Sequence, residues 1–363
     1  MAERAKKIEG LQGIRAAAFL MVFLYHCKIG DMGPLGVSVF FILSGYLMVY
    51  SYLDRVIDGY KGRKYLFGIR KICKLYPLHI ITLISAVVHI VCYSHFSGGV
   101  GYNVLKALTN VTLMQTWVPL SAYYYSFNGV SWYLSASLFL YTCFPIIIAK
   151  VKKLRDIKTA FICMALIYGM QFAIAYLARL VSIPGYNEDF VKWVTYICPA
   201  FRLGDFCIGG LAAFVYKNRQ RKQCSILLAN VLELFAVSIC VLAQMVYSNK
   251  IGPAIFRKSM LFTPASVLLI VCFHSGRGII HRLLCLKPLQ FIGEMSGYAF
   301  LIHQMVIRYL ESHFKHSYGI TLDSGIKAIL TFSITIILCQ SYHYIDRKLR
   351  TKRTAINLEH QMQ

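Results

Sequence analysis

Two residues in one apolar run have the types and the spacing to do chemistry. Arg15 and His26 stand eleven positions apart in the stretch Ile14 to His26, whose other members are almost all apolar. At ~100° per residue a helix turns through ~1100° between them, about 20° past three full turns. Both side chains then share one face, ~16 Å apart along the axis. A cation and an imidazole on one face of an apolar helix are costly inside a bilayer; such residues face a polar interior and mark function. Histidine titrates near neutrality, so His26 suits a general base or a covalent nucleophile. The competing reading has Arg15 snorkelling to one interface and His26 lying at the opposite headgroup level.

Other groups in the chain could join them. Arg70, Lys71 and Lys74 form the most basic run, and on a helix Arg70 and Lys74 share a face suited to gripping phosphates. Read more simply, they anchor the chain to anionic lipid headgroups. Trp117 and Trp132 lie among Tyr102, Tyr123, Tyr124, Tyr125 and Phe127. These rings fit an aromatic belt, or flat faces against sugars at an acceptor site. Arg202 and Asp205 are spaced i, i+3, close enough to pair. Glu233 and Glu294 read as buried acids, and His303 sits at a depth similar to that of His26. Twelve scattered cysteines form no Cys-x-x-Cys and no cluster at zinc spacing, so no metal ligand set is expected. There is no Gly-x-Ser-x-Gly elbow, His-Glu-x-x-His or P-loop, which weakens hydrolase, zincin and ATPase assignments.

The elements that must position these residues are membrane helices. The 363 residues are 57% hydrophobic and 15% charged, with a mean hydropathy of +0.56. That composition belongs to a multi-spanning membrane protein. Ten apolar segments approach spanning length: 10–29, 34–53, 77–97, 130–149, 159–182, 195–216, 225–247, 259–275, 289–310 and 325–345. The net charge of +24 would suggest nucleic acid in a soluble protein. Here the cations fall in short loops and alternate: 27 Lys and Arg on one side against seven on the other. The positive-inside rule then puts both termini in the cytoplasm, and no nucleic acid is expected. The basic N-terminus reads as an uncleaved first span. The chain divides into one transmembrane domain, 1–346, and a short basic cytoplasmic tail, 347–363. Gly36, Ser38, Ser44 and Gly45 set small residues among large ones in the second span, where helices or a ligand approach closely.

In order and spacing these features resemble the acyltransferase-3 family of integral-membrane O-acyltransferases. The resemblance rests on Arg15 and His26, on Gly36-Val-Ser-Val-Phe-Phe-Ile-Leu-Ser-Gly-Tyr46, and on Arg70-Lys71-x-x-Lys74 before Pro77. It extends through Asn110–Trp117, Ser131-Trp-Tyr-Leu-Ser135 with Tyr141 and Pro145, Phe201-Arg202 with Phe206 and Gly209, and Ser296–His303. It covers Ile8 to Asp346. The chain departs from the pattern at Lys74, where arginine is frequent, and at Ser137, where many members carry glutamate. A lysine keeps the charge but loses the bidentate fork.

The resemblance implies an all-α bundle that moves an acyl group, by default acetyl, from cytoplasmic acyl-CoA to a hydroxyl of a lipid-linked or surface glycan. His26 and Arg15 are then the catalytic pair, with His26 as a direct base. Arg70, Lys71 and Lys74 hold the coenzyme A phosphates. Trp117, Trp132, Arg202 and His303 meet the acceptor. The expected location is the cytoplasmic membrane of a bacterium. Another class also has ten spans and buried charges, a transporter or flippase of a lipid-linked glycan, although no internal two-fold hydropathy pattern is visible. A scaffold would leave the Arg15 and His26 alignment unexplained.

Overall fold

A computed structural model describes residues 8–55, 65–96, 98–181, 187–219 and 225–362. Helices account for all the regular structure among them. The order is α1 (Glu9–His26), α2 (Gly33–Tyr52), α3 (Tyr65–Ile72), α4 (Tyr76–Tyr93), α5 (Val100–Val111), α6 (Ser121–Tyr124), α7 (Trp132–Val151) and α8 (Ile157–Leu180). It continues with α9 (Asn187–Lys192), α10 (Pro199–Asn218), α11 (Ile226–Ser248), α12 (Ala254–Arg257), α13 (Phe262–His274), α14 (Ile279–Leu284), α15 (Lys287–Tyr318) and α16 (Ser324–Met362). The chain therefore forms an all-α multi-pass bundle.

Among the described residues, eight helices are long and apolar enough to cross a membrane. The first and ninth expected segments, 10–29 and 289–310, are also long helices, α1 and α15. They are less apolar because Gln12, Arg15 and His26 in α1, and Gln290, Glu294, His303 and Gln304 in α15, dilute their leucines and phenylalanines. These two helices pack on each other inside the bundle, and α2 lies beside α1.

The centre is α2, apolar on every side and nearly all buried, as a helix surrounded by others must be. Its small residues serve helix packing. A Cβ on Gly45 would stand 1.9 Å from the Phe206 carbonyl oxygen of α10, and one on Gly209 of α10 would stand 2.0 Å from that of Ile42. The two backbones approach so closely that only hydrogen fits at either position. By contrast α8 exposes Phe161, Ile162, Leu166, Met170 and Leu177, the surface of a helix bathed in lipid.

Three features were not expected. The basic loop 54–76 contains α3, which packs on α7. Arg70 and Lys71 end that helix, but Lys74 lies in the turn before α4, so Arg70 and Lys74 do not share a helical face. The cause is Pro77, which fits the first turn of α4 but cannot continue a helix arriving from α3. Residues 98–129, expected as a loop, fold into α5 and short turns. Finally, α16 runs on without a break from the tenth span to Met362.

Candidate active site

The site is built on the α1–α15 contact. Nδ1 of His26 stands 2.9 Å from Nε2 of His303, and Nδ1 of His303 stands 2.9 Å from the carbonyl oxygen of Ala299. A carbonyl only accepts, so His303 must carry its proton on Nδ1 and donate it to Ala299. In the neutral ring, Nε2 of His303 then has a lone pair and accepts from Nδ1–H of His26. That leaves Nε2 of His26 unprotonated and able to take a proton. One backbone carbonyl thus fixes the tautomer of both rings. His303 is fully buried, with Phe19, Phe23 and Phe300 around it at ring-centroid distances of 5.8, 6.1 and 6.0 Å. His26 is half-buried.

His26 lines a cavity of ≈ 350 Å³. Val22 and Tyr25 of α1 and Pro34 and Val37 of α2 form one wall. The turn before α2, with Lys28 at φ 64° and Gly30 at φ 76°, reverses the chain there. Trp132 and Tyr196 form the second wall, their rings 5.4 Å apart. Phe300, Gln304 and Arg308 of α15 form the third. Three hydrogen bonds tie α15 to the segment before α7. Arg308 Nη1 donates to the Phe127 carbonyl. Asn128 Nδ2 donates to the Leu301 carbonyl at 2.8 Å, and the Val130 N–H donates to Gln304 Oε1 at 2.8 Å. Phe127 adopts φ 55°, a conformation that costs a non-glycine residue energy and persists only where its surroundings enforce it.

A polar column continues from this cavity into the bundle. Tyr133, next to Trp132, places its hydroxyl 3.3 Å from Ser44 Oγ of α2. Arg15 lies in the electrostatic field of Tyr141, Tyr133 and Glu294. Arg15, midway along α1, is half-buried.

The structure thus places His26 and Trp132 at one cavity, with Arg15 deeper on the same helix; His303, expected to meet the acceptor, is instead buried behind His26 and does not line the cavity. Arg202 is one layer back. It is wholly buried and pairs with Asp205, Nη1 to Oδ2 at 2.8 Å. Its Nε donates to the Tyr196 carbonyl at 2.7 Å, and its guanidinium stacks 4.7 Å from the Tyr196 ring. Gln171 and Thr263 each donate to the other carboxylate oxygen of Asp205 at 3.1 Å. Trp117 is not part of the cavity wall; it is exposed and packs on Phe139 at 4.9 Å. Arg70, Lys71 and Lys74 lie at the opposite end of the bundle. Lys71 Nζ sits 4.9 Å from the Tyr52 ring and Lys74 Nζ 5.2 Å from that of Tyr298. Sequence reasoning missed Tyr196, Lys192, Lys258, Gln304 and Arg308 as neighbours of His26. Nothing in their spacing connects them to it before the helices pack.

Together these features define a multi-pass membrane enzyme with a histidine pair at one end of a polar column. The chain belongs to the acyltransferase-3 family, whose profile, described as an acyltransferase domain, matches residues 8–343, and it is an acyltransferase. It is 26% identical to the acyltransferase MdmB of Streptomyces mycarofaciens over 85% of this chain and 81% of that protein. It is 22% identical to the peptidoglycan O-acetyltransferase OatA of Listeria monocytogenes over 95% of this chain. That match spans 56% of OatA, so the chain covers about half of that relative's length. No solved structure matches.

Proposed function

We propose that the protein transfers an acetyl group from acetyl-CoA to a hydroxyl of a lipid-linked or cell-surface glycan. The observation that carries this is the hydrogen-bonded series Ala299 carbonyl, His303, His26, ending at the cavity. Support comes also from OatA, whose name assigns it peptidoglycan O-acetylation. Nε2 of His26 takes the acceptor hydroxyl proton as that oxygen attacks the thioester carbonyl. The tetrahedral adduct collapses, the C–S bond breaks, and the coenzyme A thiolate leaves with the proton from His26. His303 is a positioning residue that holds His26 in the tautomer with a free Nε2. Arg15 orients the donor from below. Arg70, Lys71 and Lys74 grip its phosphates at the basic end, assigned to the cytoplasm of a bacterial cell membrane. Trp132 offers a flat face to the acceptor sugar. Arg202 acts through Tyr196, whose carbonyl and ring it fixes.

The test uses the purified full chain in nanodiscs with acetyl-labelled acetyl-CoA. Label should leave the donor, for a glycan or for water. His26→Gln should reduce transfer by about 10²-fold or more, the scale for losing a positioned base, while donor affinity stays near wild type. Arg70→Ala should instead weaken donor binding about tenfold, the loss of one charge-assisted hydrogen bond. Near wild-type turnover by His26→Gln would remove His26 as the base.

A further inference from the structure

At the His26 end the chain carries few cations, yet several of those present converge on one place. Lys192, Lys258 and Arg308 line the His26 cavity, and among the described residues its wall holds no aspartate or glutamate. All three are half-buried, and Lys192 Nζ is held 5.0 Å over the ring of Tyr125, which also lines the cavity. A second, larger chamber of ≈ 1030 Å³ shares Lys192, Tyr247 and Lys258 with the first. It adds Arg179, Lys250 and Arg257 against Asp31 and Asp189. Gln244 already donates to Asp31, at 2.7 Å. Of the seven Lys and Arg that the charge pattern leaves in loops at this end, Lys192, Lys250, Arg257 and Lys258 all line these joined chambers.

Topology does not call for cations here, since the positive-inside rule draws them to the other end. Clefts lined by one sign of charge concentrate ligands of the other. We infer that the acceptor is anionic: it carries a phosphate, a pyrophosphate or a carboxylate close to the hydroxyl presented to His26, and Lys192, Lys258 and Arg308 bind that group. The inference rests on the transferase reading for the hydroxyl, but the anion site itself is read by binding alone. An anion held there leaves the sugar hydroxyl at His26 and keeps the charge away from the reacting carbonyl.

The test compares three versions of one disaccharide on the full chain in zwitterionic nanodiscs: the neutral methyl glycoside, its prenyl pyrophosphate ester, and its hexuronate. Calorimetric titration should show at least one charged version binding tenfold or more tighter than the neutral one, with an advantage that falls steeply as salt rises. Whichever version wins identifies the source of the anion. Lys192→Gln with Lys258→Gln should abolish the advantage, and Lys192→Arg should keep it. Equal binding of all three versions, or an advantage that survives the double substitution, overturns the inference. So does loss of the advantage when the nanodisc is doped with phosphatidylglycerol, because the cations then serve a lipid headgroup. If acetyl leaves the donor for none of the three while the charged advantage is present, the transferase reading fails and the anion site stands.

Discussion

At the scale of single residues, the first-span pair was legible because two costly side chains shared one helical face. The partner of His26 was not. His303 lies 277 positions away, and only the packing of α1 on α15 brings the rings together. The tautomer logic depends on the Ala299 carbonyl, which no side-chain pattern announces. Arg202 shows the reverse case. Its pairing with Asp205 was legible from the i, i+3 spacing, but its depth was not. With Gln171, Thr263 and the Tyr196 carbonyl closing the network, the pair braces the cavity wall from behind. Asp205→Asn leaves the Arg202 charge buried without its counterion, a change that costs about 3–5 kcal/mol in buried pairs. A large drop in thermal stability in detergent is expected. Unchanged melting with lost acceptor binding would instead return Arg202 to direct contact with substrate. Glu233 was expected only as a buried acid. It caps α14, accepting from the N–H of Gly278 at 2.7 Å and of His281 at 3.0 Å.

At the scale of elements, hydropathy located the long helices and the small residues of α2 indicated close contact, but neither named the partner. That partner is α10, through Gly45 against Phe206 and Gly209 against Ile42. Gly209→Ala puts a methyl where a carbonyl oxygen already lies, so the helices must separate. Overpacking of this kind costs about 1–3 kcal/mol. The variant should melt earlier and load the membrane less well, with His26 chemistry reduced in proportion to folded protein. Wild-type melting would mean that the α2–α10 contact has slack. The split between α3 and α4 was legible in retrospect from Pro77. It was missed because cations at i and i+4 suggested a helical face stronger than the proline that interrupts it. The helix α5 lay in a stretch whose aromatic residues pointed to function before structure.

At the scale of the whole molecule, the alternation of loop charge is the most legible feature. Its two sides group at separate ends of the bundle: Lys152 and Lys217 reach the Arg55 carbonyl and Asp54 at one end, while Asp31 accepts from Gln244 at the other. A reporter active only in the cytoplasm, fused after Gln363, should be active, and a reporter in the Gly30–Asp31 turn should be silent. A silent C-terminal fusion on an inserted protein would overturn the assignment. The helices that fall short in apolarity, α1 and α15, are those that carry the site, so the bilayer holds them less firmly than their neighbours do. The contact between His26 and His303 then has a consequence in time. On the ribosome α1 is made long before α15, and until α15 arrives the first histidine has no ring to set its tautomer. Under the proposed mechanism, a nascent chain can be inserted, oriented and partly packed while still incapable of consuming its donor. Under that mechanism, reactivity switches on only when nearly the last helix docks against the first.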